Sequence, residues 1–283
     1  MLQKNTKILI IGLGLIGGSY AQGLKRAGYE VGAVTRSQKT IDYALAHGII
    51  DSGTTQVTRG YVSRFDLLVF ALYPHTFLEW IDTWQDCIKP GALLTDVTGV
   101  KGSVVYAVQA RLRPDLQFIG AHPMAGREVG GVENADCDIF RGANYIVTPT
   151  EQNTPEAVET CRELGRTLGF ARISTLSPAQ HDEMIGFLSQ LTHCIAVALM
   201  NCKESRHLVD FTGDSFRDLT RIARINDEMW NELFQLNKTE LLAQMDLFRG
   251  EFDRLREAIA EGDETTVREM MRTSTRRRSY FDK

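Results

Sequence analysis

His122 follows a hydrophobic run at residues 117–121 and leads into Pro123-Met124-Ala125-Gly126-Arg127-Glu128. The run predicts a strand, so the imidazole sits at a strand end, pinned by a proline and relieved by a glycine. A neutral imidazole is the side chain best suited to take a proton near neutral pH. Taken alone such a histidine is a capped strand end, but it does not stand alone. Asp96-Val97-Thr98-Gly99-Val100-Lys101 follows another predicted strand at 93–95. Lys101 opens the next helix, where it addresses an anion or, as most lysines at helix starts do, sits in solvent. His193 lies just before an apolar stretch and by itself reads as a satisfied polar group of a core. Arg217 and Arg221 are four apart on a predicted helix over 214–224 and share a face. A guanidinium there is a planar, bidentate partner for a carboxylate.

The stretch that would organise these groups is KILIIGLGLIGGSYAQGL, residues 7–24. Residues 8–11 predict a buried strand, and Gly12, Gly14 and Gly17 then fall in G-x-G-x-x-G register. The first glycine allows a tight turn, the second lets a pyrophosphate approach the backbone, and the third lets helix and strand pack closely. Leu15 and Ile16 open the helix, whose N-terminal N–H groups and dipole favour that anion. The second strand, 29–34, ends in Thr35-Arg36-Ser37, with no carboxylate for a ribose diol. A guanidinium and two hydroxyls suit a 2′-phosphate, so NADP is expected ahead of NAD. Tyr73 and Pro74, which end a strand at 65–72, and Asp96 lie at the same sheet edge and are expected to line the cofactor. A loop from Gly130-Gly131 to Gly142 could close over the site.

Helices at 38–46, 75–87 and 156–168 and strands at 48–50, 145–148 and 171–174 complete an alternation of strand and helix. It predicts a Rossmann-like, doubly wound parallel sheet over residues 1–175. From 176 to 283 no convincing strand appears, and an all-helical domain is expected. Ser177-Pro178 carries N-cap and N1 chemistry. Ile185, Leu188, Leu191, Ile195 and Leu199 recur at helical steps, and the run 194–200 is apolar all round, which predicts a buried central helix. A long helix over 228–256, broken at Gly250, and a last one over 264–280 carry apolar stripes that this domain is too small to bury, so a homodimer is expected.

With 283 residues, 43% of them hydrophobic, the chain has material for two ordinary domains. The net charge of −4 gives no general reason to expect nucleic acid. The Arg276-Arg277-Arg278 cluster reads as a solvated helix face. Residues 1–6 are polar and the apolar run after them stops after four residues, so neither a signal peptide nor a membrane span is expected, and the compartment is the cytoplasm. Five cysteines without C-x-x-C spacing indicate neither a metal site nor disulfides.

The H-P-M-A-G element at His122, the loop from Asp96 to Lys101, Gln190-Leu191-Thr192-His193 and Thr220-Arg221-Ile222-Ala223 occur in that order. On these the chain resembles the prephenate/arogenate dehydrogenases of tyrosine synthesis over essentially its whole length. The resemblance implies a nucleotide-binding domain joined to a helical, dimerising domain with the active site between them. The implied reaction is oxidative decarboxylation of a cyclohexadienol to a para-substituted phenol, with hydride passing to a nicotinamide. Prephenate is the expected substrate, with arogenate as the alternative. His122 would bind the substrate's C4 hydroxyl as general base, Arg221 would clamp a carboxylate, and His193, Thr98 and Lys101 would line the substrate pocket. Gly99 departs from the pattern, since many relatives carry serine there beside the nicotinamide, and Thr98 or Ser103 would have to supply the hydroxyl. The chain ends at Lys283 without room for an appended regulatory domain, so any feedback by tyrosine would act at or near the active site. A β-hydroxyacid dehydrogenase of the same plan would use a lysine in the helical domain. A non-catalytic NADP sensor would leave the convergent polar groups idle.

Overall fold

A computed structural model describes residues 2–204 and 206–282. The first part of the chain alternates strand and helix: β1 (Lys7–Ile11), α1 (Leu15–Arg26), β2 (Glu30–Val34), α2 (Gln38–Ala46), β3 (Ser52–Thr54) and a single turn α3 (Arg59–Val62). Then come β4 (Leu67–Phe70), α4 (Pro74–Trp84), β5 (Leu93–Asp96), α5 (Gly102–Gln109), β6 (Gln117–Pro123), β7 (Asn144–Thr148), α6 (Pro155–Thr167) and β8 (Arg172–Thr175). The strands form one sheet in the order β3-β2-β1-β4-β5-β6-β7-β8. Alternate residues of each strand feed opposite faces. Ile8 and Ile10 join Leu24, Phe140 and Tyr145 on one side, while Leu9 and Ile11 join Phe70, Phe77 and Phe118 on the other. The order reverses direction between β1 and β4, and the crevice outside the C-terminal ends of those strands is where a doubly wound sheet takes its ligand.

Two details of the sheet differ from the sequence reading. The third strand is Ser52–Thr54 rather than 48–50, because Gly48 (φ +66) only ends α2, and Ile49 and Ile50 fill the core before pairing begins. The sheet is parallel through β6, but β7 pairs antiparallel to β6 and β8 runs with β7. The link 124–143 holds two short 3-10 turns and no crossover helix. A parallel return needs such a helix, so the chain comes back antiparallel.

The helical part starts with α7 (Pro178–Ile185), where Ser177 and Gln180 form a capping box. A π-helical segment, Gly186–Leu191, leads directly into α8 (Thr192–Asn201). After these come α9 (Asp214–Thr220), a 3-10 turn at Arg221–Ala223, α10 (Asp227–Leu236), α11 (Lys238–Glu261) and α12 (Glu264–Arg278). The expected break at Gly250 is absent, and the chain turns at Asn237 instead. One exposed glycine costs a helix only about 1 kcal/mol. Asn237, by contrast, is buried and donates to the Asp182 carbonyl (2.9 Å) and to Gln190 Oε1 (2.7 Å).

The run 194–200 is not the buried core it was expected to be. Within the chain only Ala196 of it is buried, and Ala198 and Leu199 are exposed. Likewise α11 buries only Leu241 and Ala258. The stretch Pro178–Asn201 is long and apolar enough, by length and composition, to cross a membrane. It also carries His181, Asp182 and Gln190, whose side chains bond to His122, to Lys101 N and to the Leu233 carbonyl.

Candidate active site

The turn after β1 has the shape its glycines predict. Gly12 adopts φ +93, and a Cβ there would lie 2.3 Å from the Ala71 carbonyl oxygen at the end of β4. A Cβ on Gly17 would lie 2.0 Å from the Gly12 carbonyl oxygen, so helix and turn meet backbone to backbone. Around Gly14 a Cβ would meet nothing within 4 Å, which leaves the open approach that a pyrophosphate needs. Gly14 caps α1 without a side chain, and no acidic residue occupies the first turn with Leu15 and Ile16. These residues fit a dinucleotide. At the end of β2, Arg36 is exposed and has no ion pair among the described residues. Thr35 is half-buried, and the Ser37 hydroxyl accepts from Thr40 N as the cap of α2.

The floor of the crevice is a buried polar cluster that joins Asp96, Thr98 and Lys101. Lys101 is fully buried rather than solvated, and its Nζ donates to Asp96 Oδ2 at 2.6 Å and to Thr98 Oγ1 at 2.8 Å. The Asp96 carboxylate also accepts Ala121 N at 2.9 Å, which ties β5 to β6 one residue before His122. The Thr98 hydroxyl contacts Asp96 and the Val100 carbonyl. Asp96, Thr98 and Lys101 therefore brace the site from beneath by bonding to one another and to backbone. Burial in this arrangement pulls the Lys101 ammonium below its ordinary range, with Asp96 opposing the shift.

His122, next along β6, is partly accessible. Its Nδ1 lies 2.9 Å from His181 Nε2, and His181 Nδ1 lies 2.7 Å from Asp182 Oδ1. Asp182 in turn accepts the N–H of Lys101 (2.8 Å) and of Gly102 (2.7 Å). Burial, then the neighbouring His181 and Lys101, hold the His122 imidazole well below 6.5, so it is neutral at physiological pH. A Cβ on Gly99 would lie 4.0 Å from His122 Nε2 and 3.4 Å from Leu233. A side chain at position 99 would thus stand directly beside the imidazole. The two expected substitutes differ in their state. The hydroxyl of Thr98 is engaged below, and Ser103 Oγ is buried without a partner.

The helical part closes over this floor. Leu233 of α10 packs into the core cluster that includes Phe70 and Val100. One turn earlier Trp230 stacks on His193, with ring centroids 3.7 Å apart. Residues three apart on a helix share a face, so Trp230, with the His193 ring stacked on it, lies on the face of α10 that also carries Leu233. His193 Nδ1 donates to the Ser189 carbonyl at 2.9 Å, which leaves Nε2 free. Burial lowers its pKa, and Glu128 and Arg221 are close enough to act on it. Arg221 Nη1 pairs with Glu128 of the H-P-M-A-G-R-E stretch, so the arginine expected on substrate is held across the domain boundary and is 66% exposed. A cavity of about 760 Å³ lies on the helical side, and Arg217 and Arg221, expected to share a face, both line it. Between the start of α4 and α10, Tyr73 OH accepts from Asn226 Nδ2, while Glu232 takes His75 N and lies 2.8 Å from its ring Nδ1. Pro74 is buried as the first residue of α4.

Sequence reasoning missed His181, Asp182, Glu128 and Trp230. Glu128 stood in plain view at the end of the quoted motif. His181-Asp182 had one local signal, an adjacent polar pair early in a helix whose start is fixed by a capping box.

Comparison with known proteins completes the assignment. The model of the prephenate dehydrogenase nucleotide-binding domain matches residues 20–173, and that of the prephenate dehydrogenase dimerization domain matches residues 177–273. Prephenate dehydrogenase of Bacillus subtilis is 30% identical over 93% of this chain and 72% of its own. Prephenate dehydrogenase from A. aeolicus, solved with hydroxyphenyl propionate and NAD+, superposes with a TM-score of 0.89 at 29% identity over 98% of each chain. Synechocystis arogenate dehydrogenase gives 0.84 at 25% identity over 98% of this chain and 100% of its own. With its glycine turn, its histidine at the sheet edge and matches that run through both domains, the chain belongs to the prephenate/arogenate dehydrogenase family of oxidoreductases.

Proposed function

We propose that the protein is a prephenate dehydrogenase of L-tyrosine biosynthesis, converting prephenate to 4-hydroxyphenylpyruvate and carbon dioxide, with NADP as the preferred cofactor. The observation that carries this reading is a neutral His122 at the C-terminal edge of the sheet, braced from below and facing the helical domain that bears Arg221. When bound, the dinucleotide supplies a hydride acceptor at its nicotinamide. The chain's own groups orient the substrate and manage one proton. Arg221, leaving Glu128, takes a substrate carboxylate in a bidentate contact. His193 and Trp230 form one wall of the pocket. His122 Nε2 accepts the C4 hydroxyl proton while the O–H pair stays on oxygen. The C4–H bond leaves with its pair as hydride, and the bond to the departing carbon dioxide returns its pair to the ring. The resulting phenolate can recover its proton from His122.

NADP is proposed over NAD because Arg36 is exposed and unpaired where an acidic residue would select a ribose diol. Reduced-nicotinamide absorbance with prephenate and arogenate against both cofactors tests the whole reading. Turnover of prephenate with NADP is expected. Turnover of arogenate alone would reassign the substrate, and no turnover of either would refute a dehydrogenase of this class.

The helical surface supports a homodimer. Leu247, Phe252, Ile259 and Met271 are each more than half exposed on α11 and α12, and Leu199 is exposed on α8. Contiguous apolar helix faces of this kind are covered in stable proteins, and obligate interfaces bury more than about 2,000 Å² in total. Light scattering at micromolar concentration should give twice the chain mass of 31.7 kDa. An active monomer would overturn the dimer.

A further inference from the structure

The histidine proposed as the base is one end of a chain of hydrogen bonds that runs away from the substrate. His122 Nδ1 meets His181 Nε2, and His181 Nδ1 meets Asp182 Oδ1. Asp182 is fixed at its far side by two backbone N–H groups, those of Lys101 and Gly102. The protons along this chain can be placed from its acceptor end. An ionised carboxylate only accepts, so His181 carries its hydrogen on Nδ1. A neutral His181 then shows a lone pair at Nε2, and the contact with His122 is a hydrogen bond only if His122 Nδ1–H donates. That leaves His122 with its lone pair on Nε2, the nitrogen that faces Gly99. The reverse order would need a second proton on His181. Complete burial disfavours that charge, and so does Lys101, while Asp182 and Asp96 favour it less strongly than burial opposes it.

We infer that His181, oriented by Asp182, is a positioning residue that locks His122 into the Nδ1–H tautomer, so that Nε2 is the atom that receives the substrate's proton. The inference rests on the assignment of His122 as the base. When the substrate O–H bond breaks and an N–H bond forms at Nε2, the new imidazolium keeps its donor bond to His181, with the Asp182 carboxylate behind it. No further reactant is needed. The arrangement has the logic of a base oriented by a third group, in which the wrong tautomer disables the base without moving it.

The direct test is 15N spectroscopy of histidine-labelled protein bound to NADP, at a pH where His122 is neutral. A proton-bearing Nδ1 and a bare Nε2 are expected, and a proton on Nε2 would overturn the inference whether or not prephenate is turned over. Failure of the dehydrogenase reading itself would show separately, as absence of turnover by the unaltered enzyme. The second test is kinetic. His181→Leu removes the acceptor, and kcat should fall on the order of 10²- to 10⁴-fold with KM for prephenate and NADP little changed. His181→Gln, whose amide oxygen can still accept, should recover much of that loss. Equal losses in both variants together with weakened NADP binding would mark His181 as merely structural, and wild-type kcat in His181→Leu would refute the role.

Discussion

The two sides of the cleft are built to opposite rules. On the floor, Asp96, Lys101, His181 and Asp182 are buried and bonded to one another or to backbone, and His122, partly buried, is held through Nδ1 with Nε2 left for the substrate. On the rim, Arg221 has one partner on the far side of the domain boundary, and Arg36 has none among the described residues. A buried, satisfied network keeps a single geometry because every alternative strands a polar group. An exposed charge can exchange one partner for another at little cost, since a surface ion pair contributes only about 0–1 kcal/mol. The floor is therefore suited to proton transfer, where reorganisation would slow the step. The rim is suited to reading charged parts of substrate and cofactor that arrive and leave.

If this division is right, changes on the floor act on kcat or on folding, and changes on the rim act on KM or cofactor affinity. The largest effect is expected from His122→Asn, which keeps size and some hydrogen bonding but takes no proton. Its kcat should fall by about 10²- to 10⁴-fold with NADP affinity retained. The pH profile sharpens the point. A base must be unprotonated to act, and burial holds His122 below 6.5, so the acid limb of kcat in the unaltered enzyme should lie below that pH and not at it. The limb should vanish in His122→Asn. A limb that survives would move the base to another group, with His193 next in line.

Lys101→Met tests the floor as structure. Removing one partner of a fully buried pair leaves the Asp96 carboxylate uncompensated, at a cost of about 3–5 kcal/mol to folding. Denaturant unfolding measures it, and the double variant with Asp96→Asn should regain part of the loss. A variant as stable as the parent would mean the pair contributes nothing, and the contrast between floor and rim would fail.

The same contrast explains what the sequence disclosed. The glycine turn was legible because its geometry is local: Gly12, Gly14 and Gly17 constrain one another within six residues. His122 was legible because a strand end fixes its place. Lys101 was expected to meet an anion, the substrate or solvent, because lysines at helix starts are mostly exposed, and its partner Asp96 carries no periodicity that would announce the buried pair. His181 and His122 are 59 residues apart, and no local rule joins them. The direction of β7 depended on the lack of a helix in 124–143, where glycines argued for a loop but not for its outcome. In the helical part, periodicity gave the helices, but neither the turn at Asn237 nor the exposure of 194–200, because both depend on what packs against those helices.

On the rim, Arg221→Ala should raise KM for prephenate roughly 10- to 150-fold, the value of a charge-assisted bidentate contact, with kcat largely kept. The carboxylate it clamps is remote from C4 and changes little in charge as hydride leaves, so its contribution is the same in ground and transition states. Glu128→Gln provides the complement: freeing Arg221 from its partner should lower KM modestly. A collapsed kcat at unchanged KM in Arg221→Ala would move this arginine to the floor's category.

The smallest effect, and the most selective, is expected at Arg36. It lies beyond the end of β2, and its proposed partner, the 2′-phosphate, is what distinguishes NADP from NAD. Arg36→Ala should weaken NADP by roughly 10- to 100-fold, since a charge-assisted contact to phosphate is lost, and leave NAD nearly untouched. Thr35 and Ser37 remain as hydroxyl donors, but Ser37 is already engaged as the cap of α2, so little compensation is available. Titration of cofactor affinity in the unaltered protein and the variant gives both numbers at once. Raising the salt concentration should shrink the difference, because an exposed phosphate contact is screened and a buried one is not. Equal losses for both cofactors, or a parent enzyme that prefers NAD, would show that this end of the rim does not read the 2′-phosphate.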